Sequence, residues 1–194
     1  MSLKLQNKHD KPYGKIEVIC GSMFSGKTEM LISIIKKAKI SREKVKIFKP
    51  KLDNRYDSLK IVSHNKNEIP ATPIENIIEI VKLSKQADII AIDEAQFFND
   101  QIVGACIEIA ATGCNVILAG LDLDHLGNPF GAMPRLMSIA DKITKLHAIC
   151  DLCSTEASHT FKKTNDKKQI EIGEKDKYQA LCRSCFNRKI SSNE

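Results

Sequence analysis

Residues 21–28 decide the fold, because they read Gly-Ser-Met-Phe-Ser-Gly-Lys-Thr and fit the Walker A pattern G-x-x-x-x-G-K-[ST]. In that pattern glycines let backbone N–H groups turn towards phosphate oxygens, the lysine reaches the β- and γ-phosphates, and the last hydroxyl binds Mg²⁺. The alternative is a glycine turn followed by a surface lysine. The pattern predicts that ATP and Mg²⁺ are bound by Gly21, Ser22, Met23, Phe24, Ser25, Gly26, Lys27 and Thr28.

The segments around this loop alternate between apolar strands and amphipathic helices. Strands are predicted at residues 15–20, 45–48, 87–92 and 114–119. Helices are predicted at residues 27–39, from Pro73 to residue 83, and at 100–112. Strands this uniformly apolar are typical of sheets that are covered on both sides. The order therefore predicts an α/β fold, a P-loop parallel sheet with helices on both faces.

Two acidic residues follow the predicted strand at residues 87–92. Asp93 stands at the carboxyl end of that strand, where a Walker B carboxylate binds Mg²⁺. The alternative for Asp93 is a solvated carboxylate at a strand end. Glu94 comes next and is a natural general base. The alternative for Glu94 is a second electrostatic partner of Mg²⁺.

Four of the seven cysteines form two Cys-x-x-Cys pairs, Cys150 with Cys153 and Cys182 with Cys185. Two such pairs predict a closed, tetrahedral, structural Zn²⁺ site that anchors the 28-residue loop between them. Disulfides or inert thiols are the alternative. The other three cysteines lie in apolar segments and are predicted to be core residues: Cys20, Cys106 and Cys114.

The composition changes near residue 150, where the chain becomes polar and lysine-rich. Residues 158–177 have too few aliphatic side chains to suggest a packed core. We therefore predict two domains, a P-loop nucleotide-binding α/β domain at 1–149 and a small zinc-binding domain at 150–194.

The charge pattern bears on location and partners. The formal net charge is +6, but only five of the thirty basic residues are arginines, which disfavours a nucleic-acid partner. Residues 1–15 lack the apolar core of a signal peptide, and no apolar run reaches the length of a membrane span. These features predict a cytoplasmic protein with no membrane partner.

Two other classes of protein compete with a small-molecule kinase. Residues 93–96 resemble the DEAx box of a nucleic-acid-stimulated ATPase, but the chain has room for one P-loop core, whereas helicases usually use two. A zinc-stapled interaction module with a vestigial P-loop is the other alternative. The intact Lys27, Thr28, Asp93 and Glu94 weigh against it.

In their order along the chain, these motifs resemble the class II thymidine kinases, the cellular and poxviral kind. The resemblance runs from about residue 15 to residue 189. It rests on the loop at 21–28, on Asp-Glu-Ala-Gln-Phe-Phe at 93–98 and on the Gly-Leu-Asp loop that ends in Pro-Phe-Gly at 129–131. The four paired cysteines and Asp-Lys-Tyr at 176–178 complete it.

The resemblance implies ATP-dependent phosphorylation of thymidine, and of deoxyuridine, at the 5′-hydroxyl in nucleotide salvage. It implies that Glu94 is the catalytic base for that hydroxyl. It also implies a homotetramer with feedback inhibition by thymidine triphosphate. The loop between the cysteine pairs resembles the family's lasso, which closes over thymidine and reads the base with main-chain groups from about residue 169 to residue 178.

The resemblance also implies further site residues. Asp53 and Arg55 match a loop that contacts phosphates or supports the base and metal network. His125 stands where the family often has a third aromatic residue. The positions that match the nucleoside pocket are Met23, Gln96, Phe97, Leu121, Phe130, Thr160, Ile170, Glu171, Ile172, Gly173 and Tyr178.

Overall fold

The computed structural model of the chain describes residues 13–51, 59–62, 67–163 and 177–192. The helices are α1 Lys27–Ile40, α2 Ile77–Ser84, α3 Gln101–Ala111, α4 Met133–Ile139 and α5 Arg183–Ser191, with a 3₁₀ turn at Ala95–Phe97. The strands are β1 Ile16–Gly21, β2 Val45–Pro50, β3 Lys60–Val62, β4 Glu68–Pro70, β5 Thr72–Ile74, β6 Ile89–Ile92, β7 Asn115–Gly120, β8 Lys142–Leu146, β9 Ala148–Ile149, β10 Glu156–Ala157, β11 His159–Lys162 and β12 Tyr178–Leu181.

A six-stranded sheet in the order β5-β2-β6-β7-β1-β8 forms the centre of the molecule. Every pairing in this sheet is parallel, as the alternation of strands and helices predicts. Strands β1, β6 and β7 lie at its centre and are almost entirely buried. Their carboxyl ends meet at one edge of the sheet, and this edge carries residues 21, 93 and 121.

Apolar side chains cover both faces of the sheet because successive strand residues point to opposite sides. Val18 and Ile90 belong to a cluster with the buried sides of α2, α3 and α4. Ile19 and Ala91 belong to a second cluster with the buried side of α1 and with apolar residues of β3 and β4. The predicted P-loop parallel sheet with helices on both faces is confirmed.

The helix predicted to begin at Pro73 begins later. Pro73 lies in β5, an edge strand, where a residue without an N–H group is tolerated. Helix α2 begins at Ile77, because the side chain of Asn76 accepts the backbone N–H of Ile78 at 3.0 Å and caps the helix. Within α2, Ile78 is 59% exposed while Ile80 is fully buried, so Ile80 lies on the face that packs against the sheet.

Strand β8 and helix α4 were not predicted from the sequence. Strand β8 reads Lys-Ile-Thr-Lys-Leu and pairs only with β1 at the edge of the sheet. An edge strand keeps one side open to solvent, so it lacks the continuous apolar run that marks β6 and β7.

Residues 148–163 and 177–192 form a smaller body, called here the C-terminal unit. It contains the antiparallel pairs β9–β10 and β11–β12 together with α5. The expectation that residues 158–177 form no packed core is wrong for β11, whose four residues are all buried. Phe161 packs with Leu181 and Phe186 in an apolar cluster that also includes Ala148. Two or three aromatic rings are enough to cover one short strand.

The prediction of a domain boundary at residue 149 stays a prediction. In the part of the chain that the structure describes, no helix has both the length and the apolar character needed to cross a membrane.

Candidate active site

The loop between β1 and α1 has the shape that a phosphate group requires. Its backbone takes positive φ at Gly21, Phe24 and Gly26. A side chain at Gly21 would place its Cβ only 2.2 Å from the carbonyl oxygen of Leu146, so this position excludes one. The buried ammonium of Lys27 donates to the carbonyl oxygen of Ser22 at 2.8 Å, and α1 begins at this lysine. The loop therefore presents a helix N-terminus and a cation in one place.

The two predicted Mg²⁺ ligands are in direct contact. The hydroxyl of Thr28 donates to Asp93 Oδ2 at 3.0 Å, although the residues are 65 positions apart. Asp93 is buried at the end of β6, and its own N–H donates to the carbonyl oxygen of Phe48 at 3.0 Å. A hydroxyl beside a carboxylate provides the hard oxygen ligands that Mg²⁺ prefers, so this pair fits the metal.

Glu94 takes a left-handed backbone conformation, with φ 54° and ψ 42°. Such a conformation costs a non-glycine residue about 1–3 kcal/mol and is often found at functional sites. Its N–H donates to Asp93 Oδ1 at 3.0 Å. In a strand, successive side chains point to opposite sides. The turn at Glu94 interrupts this alternation, so Glu94 and Asp93 can point to the same side. The amide of Gln96 donates to Glu94 Oε2 and thereby orients this carboxylate.

Gln96 connects two strand ends at this edge of the sheet. Its side chain is 2% exposed, and its Oε1 accepts the N–H of Leu121, just after β7, at 3.0 Å. Gly131 fits against it so closely that a Cβ there would lie 2.2 Å from the carbonyl oxygen of Gln96. A hydrogen-bonded path therefore runs from Thr28 through Asp93, Glu94 and Gln96 to Leu121.

Two of the aromatic residues predicted for the pocket are in contact. The rings of Phe97 and Phe130 lie edge to face, with 5.8 Å between their centroids. Tyr178 is buried in β12, opposite Lys162 of β11. His125, in the turn after Leu121, is half-buried, and burial lowers the pKa of its imidazole.

Thr160 has a contact that the sequence did not predict. Its hydroxyl oxygen accepts the N–H of Met23 at 2.9 Å, which joins the C-terminal unit to the phosphate loop. The remaining predicted site residues lie outside the described residues: Asp53, Arg55, Ile170, Glu171, Ile172 and Gly173.

The four paired cysteines come together in the C-terminal unit. Their sulfur atoms all lie within 4.8 Å of one another, and those of Cys153 and Cys182 are 3.6 Å apart. Tetrahedral zinc with Zn–S bonds of about 2.3 Å requires sulfurs just under about 4 Å apart, so the cluster fits the metal. The other three cysteines are buried in the core, as predicted: Cys20, Cys106 and Cys114.

The protonation of this cluster also favours a cation. The backbone N–H of Cys185 donates to the sulfur of Cys182 and lowers the pKa of that thiol to about 6. The pKa of Cys185 itself is raised to about 12 by burial and by the neighbouring thiols. A bound Zn²⁺ would supply the positive charge that allows all four cysteines to bind it as thiolates. Arg188 Nη2 donates to Cys185 Sγ at 3.4 Å and adds a fixed positive charge beside the site.

An ion pair beside the phosphate loop was also missed. Lys145 Nζ lies 2.7 Å from Asp122 Oδ2, and Lys145 stands opposite Cys20 in the pairing of β8 with β1. The sequence carried one signal for it, because Asp122 comes just after β7 in the way that Asp93 comes just after β6. Its partner could not be found without the position of β8.

The profile of the family described as thymidine kinase matches residues 14–186. The chain belongs to the thymidine kinase family. The match includes the phosphate loop, Asp93, Glu94 and both cysteine pairs, so it extends over the sheet and the C-terminal unit alike.

Individual members of the family are similar to the chain over nearly its whole length. A thymidine kinase of Porphyromonas gingivalis W83 is 47% identical over 194 residues, which cover 99% of this chain and 95% of the relative. One from Bacteroides thetaiotaomicron is 49% identical over 175 residues, covering 90% and 88%. One from a Rhodothermus species is 44% identical over 179 residues, covering 92% and 84%.

Proposed function

We propose that this chain is an ATP-dependent thymidine kinase, which transfers the γ-phosphoryl group of ATP to the 5′-hydroxyl of thymidine. The observation that carries the proposal is the hydrogen-bonded path from Thr28 through Asp93 and Glu94 to Gln96 and Leu121. It joins the phosphate loop to the end of β7, where the resemblance places the nucleoside. Membership of the thymidine kinase family supports thymidine as the acceptor.

The phosphate loop positions the donor. Backbone N–H groups of residues 21–28 surround the phosphates, except that of Met23, which donates to Thr160. Lys27 exchanges the carbonyl oxygen of Ser22 for the β- and γ-phosphate oxygens. Thr28 and Asp93 hold Mg²⁺, which when bound neutralises charge on the transferred group. Most of the catalytic effect in phosphoryl transfer comes from this positioning and charge stabilisation.

Glu94 accepts the proton of the acceptor. The 5′-oxygen of thymidine attacks the γ-phosphorus, the bond from that phosphorus to the β,γ-bridging oxygen breaks, and ADP leaves. The hydroxyl proton moves to the carboxylate of Glu94. Gln96 keeps this carboxylate oriented, since its amide donates to Glu94 and its carbonyl is fixed by Leu121.

The nucleoside pocket is assigned by the resemblance. We propose that Met23, Leu121, Thr160 and Tyr178 surround the thymine ring and its methyl group, and that Phe97 and Phe130 flank it. Gln96 is proposed as the seventh pocket residue among those that the structure describes. Ile170, Glu171, Ile172 and Gly173 are proposed to read the base through main-chain groups, and Asp53 with Arg55 to support the phosphates.

The other parts of the proposal concern cofactors, partners and assembly. Mg²⁺ accompanies ATP, and a structural zinc ion is bound by Cys150, Cys153, Cys182 and Cys185. The resemblance to the class II thymidine kinases supports four further proposals. They are phosphorylation of deoxyuridine, feedback inhibition by thymidine triphosphate, a homotetramer and a cytoplasmic role in nucleotide salvage. A pocket that accepts the thymine methyl group gains only about 1–3 kcal/mol over deoxyuridine, so both nucleosides should be accepted.

An assay of ADP release tests the proposed function. The purified protein is supplied with Mg²⁺ and ATP, and thymidine, other nucleosides or single-stranded DNA are added separately. Thymidine should stimulate ADP release and give thymidine monophosphate in equal amount. Stimulation by single-stranded DNA with no nucleotide product would support the ATPase alternative and contradict the kinase.

A further inference from the structure

Three consecutive residues of the phosphate loop, Ser22, Met23 and Phe24, contact the C-terminal unit. The N–H of Met23 donates to Thr160 Oγ1 at 2.9 Å, across 137 residues of sequence. The hydroxyl of Ser22 donates to the carbonyl oxygen of Ala157 at 3.3 Å, across 135 residues. These two hydrogen bonds anchor neighbouring loop residues to β10 and β11.

Phe24 is the third point of contact. It has φ 65°, in the left-handed region that a bulky residue rarely adopts. Its side chain packs against the apolar cluster of the C-terminal unit, which includes Phe161 and Leu181. Strained backbone conformations persist where the surrounding structure holds them. The packing of Phe24 against the C-terminal unit therefore helps to hold its left-handed conformation.

Inside the loop, the carbonyl oxygen of Ser22 is a shared acceptor. The hydroxyl of Ser25 and the ammonium of Lys27 both donate to the carbonyl oxygen of Ser22 at 2.8 Å. Lys27 has to leave this oxygen when it binds phosphate. Thr160 and Ala157 lie outside the loop, so they can hold Met23 and Ser22 in place while Lys27 moves to the phosphates.

We infer that Thr160 is a positioning residue for ATP, which fixes the phosphate loop by accepting the N–H of Met23. The inference rests on the proposed function only in naming ATP as the ligand, and it adds a second role to the contact with thymine proposed above. Thr160 is 3% exposed, so a change that removes its hydroxyl leaves the Met23 N–H facing an apolar group. The C-terminal unit then supports ATP binding even when no nucleoside is present.

Binding of a non-hydrolysable ATP analogue with Mg²⁺, measured by calorimetry without thymidine, tests this inference. Thr160→Val keeps the shape of the side chain and removes the acceptor, so the Kd of the analogue should rise about tenfold. Thr160→Ser keeps the acceptor and should stay within about twofold of the wild type. Thr112→Val is the matched control, because the hydroxyl of Thr112 donates to the nearby carbonyl oxygen of Ile109 at the end of α3.

The outcomes separate the two roles of Thr160. A Thr160→Val variant that raises the KM for thymidine and leaves analogue binding unchanged would overturn the inference. So would equal losses in the Val and Ser variants. If the wild type does not bind the analogue, the proposed function fails instead, and the next measurement still tests the Met23 contact.

The Met23 amide can be observed directly in the full-length protein. The chain has five methionines, so labelling with ¹⁵N-methionine gives few backbone signals, and Met23→Leu identifies the one of interest. In the wild type this amide should exchange with solvent much more slowly than an unstructured peptide, and in Thr160→Ser it should stay protected. Exchange at the unprotected rate in the folded wild type would overturn the inference, even if Thr160→Val does not fold.

Discussion

The phosphate loop and the cysteine cluster lie in regions of the molecule that are stabilised by different physical means. The phosphate loop joins β1 to α1, and these elements are covered by two large apolar clusters on the faces of the sheet. The C-terminal unit has a much smaller apolar cluster beside four cysteines whose sulfurs lie within 4.8 Å. The first region is stabilised by burial, and the second combines a small apolar cluster with cysteines that fit a metal ion.

The difference predicts how each region responds to substitution. In the phosphate loop, chemistry can be removed while the fold persists, because the sheet does not depend on Lys27 or Glu94. In the C-terminal unit, removal of a cysteine changes the structure first and activity as a consequence. Stability and activity should therefore separate in the first region and change together in the second.

The largest effect is expected for Lys27→Ala. The ammonium that faces the β- and γ-phosphates is lost, so kcat/KM should fall about a thousandfold or more and ATP binding should weaken. The melting temperature and the zinc content should match those of the wild type. Near-normal phosphorylation by this variant would show that residues 21–28 are not the phosphate site.

Glu94→Gln should give the next largest effect. A positioned general base contributes about 10²–10⁴-fold, so kcat should fall at least about a hundredfold. ATP and thymidine should bind within a few-fold of the wild type, because the base acts mainly in the transition state. A variant that loses mainly Mg²⁺–ATP affinity would instead make Glu94 a metal-site residue.

Cys182→Ser tests the second region. Elemental analysis should find one zinc ion per chain in the wild type and less in the variant, and the affinity for thymidine should fall as the loop loosens. The loop between the cysteine pairs should become sensitive to protease before the sheet unfolds. Cys106→Ala is the control, since burial raises the pKa of that core thiol to about 12 and it lies far from the cluster in sequence.

Natively prepared wild type without zinc would contradict this assignment. An unchanged protease pattern together with unchanged thymidine affinity in Cys182→Ser would do so as well. Either result would also remove the contrast between a region held by burial and one held by metal.

The smallest effect is expected for Asn76→Ala. The side chain of Asn76 accepts the N–H of Ile78 and caps α2, on the side of the sheet away from α1. Its loss should lower the free energy of unfolding by about 1 kcal/mol in chemical denaturation. Because α2 carries none of the site residues, kcat and both KM values should stay unchanged. A loss of activity larger than the loss of stability would show coupling between this face and the site.

The features that could be predicted from the sequence are those whose residues are adjacent or regularly spaced along the chain. The phosphate loop is eight adjacent residues, and Asp93 follows a strand whose apolar run is easily recognised. The start of α2 was predicted wrongly from Pro73, because proline is found both at the first turn of helices and in edge strands. Asn76, which caps α2, was the better indicator of where the helix begins. The fold class and the cysteine cluster therefore followed from the sequence, while one helix start did not.

The parts that escaped prediction depend on tertiary neighbours. The left-handed backbone of Glu94 is fixed by the N–H bond to Asp93 and by the 3₁₀ turn that follows. The bond between Met23 and Thr160 joins residues 137 positions apart and has no local pattern. Strand β8 is recognisable mainly through its partner β1, since its own sequence is largely polar.

The position of β1 has a consequence for the order in which the enzyme matures. Strand β1 pairs with β7 and β8, so its neighbours are made about a hundred residues later in synthesis. The phosphate loop thus leaves the ribosome before the strands that complete it, and it also waits for Thr160. Nascent chains that stop before residue 142 should expose an unpaired edge of β1 and should depend on chaperones to avoid aggregation.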